Sequence, residues 1–170
     1  MIERKTIWSE AGMPGLVLGL VSLVFFVVTS LFQSPLLNVV LWLVKLVGCI
    51  YLMYFFIKKF ASLHDGVSNS DTFRFGSTVA LLSAFIFSVG YFVFVQYIRP
   101  DTFKDAMDAA MQAYSSFLDS NSIEMMENML PKLPTIGFFV NLFWCWLYGT
   151  IVSAIISRSV PSHNPFDENK

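Results

Sequence analysis

Lys45 is the residue of this chain best placed to do chemistry, because it is a cation inside an apolar run, Leu36 to Ile57. An ammonium in such a run must pair with a carboxylate, be solvated by neutral oxygens, or stretch its methylenes toward water. The other reactive side chains are scattered. His64 and His163 lie about a hundred residues apart in polar, turn-rich segments and read as solvated surface histidines. Cys49 and Cys145 each sit within an apolar run and read as small apolar residues rather than as a disulfide. Met107, Met111, Met125, Met126 and Met129 raise Cu(I), since thioethers are soft ligands. That chemistry needs three sulfurs on one surface, and no His or Cys accompanies them, so no metal is expected. There is no H-E-x-x-H, no G-x-S-x-G, no phosphate-binding glycine loop and no pair of acids within an apolar run. Neither an enzyme nor a cofactor is expected.

The elements that must position Lys45 follow from hydropathy. Four apolar windows run over residues 11–32, 36–57, 75–98 and 135–157, and Lys45 is the only charged side chain in any of them. A bilayer core of roughly 30 Å needs ~20 residues of helix, so each window is a candidate span. Charged residues make up 14% of the chain and mean hydropathy is +0.62, against about 25% charged in soluble domains. The expected fold is all-α, a polytopic four-transmembrane-helix bundle over residues 1–160, with a disordered tail over 161–170. The net charge of −1 gives no reason to expect nucleic acid. The first window follows Arg4 and Lys5 but is longer than a signal-peptide core and lacks a small-residue cleavage site. It reads as a retained helix.

With four spans, Arg4, Lys5, Lys58, Lys59, Arg74, Arg158 and Lys170 fall on one side, and only Arg99, Lys104 and Lys132 on the other. That bias is expected to put both termini in the cytoplasm. At ~1.5 Å per residue, Lys45 lies ~13 Å below the outer surface, with Ser88 at ~15 Å, Tyr91 at ~10 Å, Asn141 at ~9 Å and Cys145 at ~15 Å. Asn38, two turns earlier, shares the face of Lys45. Lys45, Asn38, Ser88, Tyr91 and Asn141 therefore form the expected intramembrane polar cluster. Three readings of Lys45 stay open: a structural or snorkelling lysine, which is preferred, an interior polar site, or an oligomer contact.

Small residues mark the packing faces. Gly15 and Gly19 form a GxxxG pair in the first span. Gly76, Ala80, Ala84 and Ser88 run at four-residue spacing in the third, and Gly137, Asn141, Cys145, Gly149, Ser153 and Ser157 in the fourth. In lipid such ridges let helix backbones approach closely. The segment 99–134 carries six acids and two amphipathic stretches: Phe103, Met107, Met111, Tyr114 and Leu118, then Ile123, Met126 and Leu130. It is expected to form an extracytoplasmic helical hairpin over the bundle. Trp8, Tyr97 and Tyr148 are expected near the interfaces. Asp71 or Thr72 is expected to cap the third helix.

These features resemble the bacterial membrane-protein family called domain of unknown function 4199. The similar residues are Gly15-Leu16-Val17-Leu18-Gly19, Thr72-Phe73-Arg74-Phe75-Gly76, Ile98-Arg99-Pro100-Asp101 and Ile123-Glu124-Met125-Met126-Glu127 ahead of Pro134. The resemblance implies four spans, a short extracytoplasmic turn and an acidic, Met-rich segment before the last span. It implies no activity, cofactor or site residue, and Lys45 maps to no family position. Two function classes are carried forward. The first is a non-enzymatic structural or interaction protein, embedded in the lipid bilayer with a membrane-protein partner or as a homo-oligomer. The alternative is a small oligomeric transporter or channel-like protein.

Overall fold

A computed structural model of the chain describes residues 3–31, 35–64, 66–101, 105, 108–109, 112–113 and 119–160. Long unbroken apolar sequence gives long helices, since in lipid every backbone amide must be satisfied within its own segment. Four result: α1 (Arg4–Leu31), α2 (Pro35–Leu63), α3 (Asn69–Val93) and, last in the chain, α5 (Leu133–Ser159). The short α4 (Ser120–Met129) precedes α5. Among the described residues there is no strand, and these four helices are long and apolar enough to cross a membrane. Their outward faces carry Trp42, Val44, Trp144 and Ile155, each more than half exposed. Such surface suits lipid and not water. The chain is a multi-pass membrane protein.

The helix ends have local causes. α3 starts at Asn69 because Ser68 caps it: the Ser68 hydroxyl accepts from the Asp71 amide at 3.2 Å, and the Asp71 carboxylate accepts from the Ser68 amide and hydroxyl. This capping box lies earlier than the expected cap at Asp71 or Thr72, because Asp71 serves as the third helical residue of the box. α3 leaves the membrane through a π-turn, Phe94–Ile98, with the Arg99 amide donating to the Phe94 carbonyl at 2.8 Å. Pro100 follows and disfavours further helix at Arg99. The Arg99 guanidinium donates to the Ser30 carbonyl at 3.3 Å, tying the end of α3 to that of α1. α5 opens on Pro134, at a position where a missing amide hydrogen costs little.

α3 is the central helix. It runs parallel to α1 at very close range: a Cβ on Gly15 would lie 2.6 Å from the Leu82 Cβ, and one on Gly19 would lie 2.8 Å from that of Ile86. It runs antiparallel to α5, where a Cβ on Gly149 would lie 2.6 Å from the Ala80 Cβ and one on Gly76 would collide with Ser153. Hydroxyls stitch the same seam. Ser153 donates to the Phe73 carbonyl at 3.2 Å, and the Ser77 and Thr150 hydroxyls are 3.2 Å apart. Ala84 of the same ridge is buried, and beyond it the Phe92 and Phe138 rings meet edge to face at 6.3 Å.

α2 joins this slab mainly through one half. Met53, Ile57 and Phe60 are buried, and the Phe60 ring stacks on Phe75 at 4.1 Å. His64, at its end, reaches Glu10 of α1 at 3.3 Å. From Leu36 to Val47 its large apolar side chains are exposed, apart from the half-buried Leu41 and Leu46. In the segment between α3 and α4, residues 101, 105, 108–109 and 112–113 are helical. Phe103, Met107, Met111, Tyr114 and Leu118, and the tail 161–170, lie outside the described residues.

Overpacking the central seam should destabilise it. Gly149→Val is expected to cost about 1–3 kcal/mol in reversible unfolding. Gly48→Ala, where a Cβ meets nothing within 4 Å, should change stability by less than about 0.5 kcal/mol.

Candidate functional site

Because the buried contacts of α2 with the slab concentrate at Met53 to Phe60, its other half leaves a cleft against α3 and α5. The cavity there is about 230 Å³, and Lys45 lines it. α1 contributes Ser22, α2 Trp42 and Cys49, α3 Ser83 and Phe87, and α5 Trp144, Cys145 and Tyr148. The site thus gathers one cation, two thiols, three hydroxyls and aromatic walls at mid-membrane depth.

The ammonium of Lys45 lies 4.8 Å from the centroid of the Phe87 ring. A cation over an aromatic face gains ~0.5–2 kcal/mol, whereas a lysine at mid-membrane costs at least ~2.5–3.5 kcal/mol on insertion scales. The ring offsets only part of that cost. The half-buried side chain must draw the rest from the polar lining or from a group outside the chain, since no span contains an acid. The Ser22 hydroxyl and Cys49 thiol sit 3.7 Å apart and tie α1 to α2 on one wall.

The residues expected around Lys45 are distributed differently. Asn38, Ser88, Tyr91 and Asn141 are not part of the cavity lining. Ser88 is fully buried, and its hydroxyl has no hydrogen-bond partner among the described residues. Tyr91 packs against Phe26 at 5.3 Å between ring centroids and fills the space above Gly137. Asn38 and Asn141 are half-buried. Counting residues gives depth but not direction around the helix: Ser88 and Phe87 share a depth and differ by ~100° in azimuth. Phe87 therefore takes the place beside Lys45. Cys145, matched to Lys45 by depth, does line the cleft, and so does Tyr148, which was expected at an interface. Ser22, Trp42, Cys49, Ser83, Phe87 and Trp144 were not foreseen. Trp42, Lys45 and Cys49 recur at helical spacings on α2, but which faces meet depends on the lean of α2.

Among the described residues, no three His, Cys, Asp or Glu side chains come together in a way that could hold a metal. The site offers a cation and weak hydrogen-bonding groups, suited to holding an anionic or polar group.

Four long apolar helices around a buried seam define a polytopic helical membrane protein. The chain belongs to the DUF4199 family, described as proteins of unknown function, whose model matches residues 14–158. That match takes in most of α1, nearly all of the other three spans and the segment between α3 and α5. No curated protein and no solved structure matches the chain.

Replacing the cation tests the energetic argument. Lys45→Met should leave bundle stability unchanged or raise it by roughly 1 kcal/mol, read by reversible denaturation in micelles. A loss of more than about 1 kcal/mol would mean that the ammonium is held by a stabilising network within the chain.

Proposed function

We propose that this chain is a non-enzymatic interaction protein of the bacterial inner membrane, built to receive a transmembrane helix of another protein at the Lys45 cleft. The carrying observation is a mid-membrane cation, only partly compensated by Phe87, in a cavity lined by all four long helices, of which α2 is largely exposed from Leu36 to Val47. Intramembrane charges characteristically pair inside helix assemblies. The complement is an Asp or Glu near the middle of a partner helix. A second copy of the chain has no acid in its spans, so a heteromeric partner fits better than a homo-oligomer. The excess of basic residues on one side supports cytoplasmic termini. The acidic, Met-rich segment is then an extracytoplasmic amphipathic hairpin within reach of the same partner.

The alternative, a small oligomeric transporter or channel-like protein, is favoured by the hydroxyls and thiols lining the cleft. Against it, α1, α2 and α5 are continuous through the membrane, whereas transport paths are characteristically marked by intramembrane acids and broken helices.

Photo-crosslinking from position 42 or 144 in native membranes, followed by affinity capture, distinguishes the two. The expected result is one dominant heteromeric adduct that weakens about tenfold or more in Lys45→Met, as loss of a buried charge pair implies. A pure homo-oligomer that passes ions in liposomes contradicts the interaction reading and supports the alternative.

A further inference from the structure

A second site lies at the other end of the bundle. α1 and α3 are parallel, so their N-termini open on the same side and the positive ends of their dipoles add. Between them runs a groove of about 970 Å³ whose polar walls are Arg4, Arg74, Ser77 and Thr78, with Glu3 at its edge. Ile7, Trp8 and Phe73 supply its apolar walls. Among the described residues, neither guanidinium has an ion-pair or hydrogen-bond partner. Two cations against one acid leave the groove net positive.

We propose that this groove binds the phosphate of an anionic phospholipid headgroup. Guanidinium groups bind phosphate oxygens in a bidentate fork, and basic pockets between transmembrane helices are a recurrent solution for anionic lipids. The lipid source is favoured over free phosphate by position and wall chemistry. The groove sits where the apolar spans begin, at headgroup level, and Trp8, 48% exposed, stands there as interfacial tryptophans do. Ile7 and Phe73 give the glycerol and upper acyl carbons an apolar surface. The volume is several times that needed for phosphate alone. The site is separate from the Lys45 cleft and does not depend on the reading given to that cleft.

The test uses the purified full-length protein in a neutral detergent, titrated with phosphatidylglycerol, phosphatidylcholine or inorganic phosphate, with retention read by native mass spectrometry. Phosphatidylglycerol should be retained selectively. The double variant Arg4→Gln, Arg74→Gln should weaken its retention roughly 10- to 30-fold. Both side chains are exposed, so the change removes no core packing. Lys58→Gln with Lys59→Gln, two exposed cations at the same end, should leave retention within about twofold. Equal retention of phosphatidylcholine, competition by millimolar inorganic phosphate, or equal losses in the two double variants would overturn the proposal.

Discussion

The close approach of α3 to both α1 and α5 is the constraint from which the rest of this molecule follows. Gly15 and Gly19 let Leu82 and Ile86 sit where a Cβ would otherwise stand, while Gly76 and Gly149 do the same for Ser153 and Ala80. Between lipid-solvated helices the hydrophobic effect contributes little, so association rests on such contact and on interhelical hydrogen bonds. The Ser153–Phe73 and Ser77–Thr150 bonds lie on the α3–α5 seam. Three helices are thereby locked into a slab. α2 meets the slab's glycines only through the end of a side chain, the Ile57 Cδ1 that a Cβ on Gly76 would reach at 2.8 Å; its own Gly48 faces open space, and Met53, Ile57 and Phe60 hold it.

That asymmetry creates the cleft. A fourth helix packed along its whole length would bury Lys45 among apolar side chains, at a cost the Phe87 ring could not offset. Anchored mainly at one end, α2 leaves Lys45 beside a cavity whose largely apolar walls also carry hydroxyls and thiols. The unusual charge and the loose half of α2 are thus two aspects of one arrangement. A carboxylate brought in by another helix would gain most where water is absent and a lone cation already waits.

Much of this was readable from residue order. Windows of more than ~20 apolar residues leave few alternatives to transmembrane helix, and the four spans fall where hydropathy places them. The four-residue spacing of Gly76 with Ala80, and of Gly149 with Ser153, marks the faces that meet on α3 and α5. The α3 cap was misplaced because Ser68 lies in a polar loop where several residues could serve. The surroundings of Lys45 were legible in depth and not in direction. Cys145 followed from counting, whereas Phe87, Ser83 and Trp144 depend on how far α2 leans, which is set by side chains two to four turns away.

The most direct test of the slab-and-lever arrangement is a pair of distance distributions from spin labels on the full chain in nanodiscs. One pair sits on exposed positions of α2 and α5, Leu36→Cys with Phe139→Cys, and the other on α1 and α3, Leu20→Cys with Phe85→Cys, each in a Cys49→Ser, Cys145→Ser background. The account predicts a narrow distribution for the α1–α3 pair and a markedly broader one for the α2–α5 pair, because few buried contacts hold the Leu36 to Val47 half of α2. Equally narrow distributions for both pairs would contradict it.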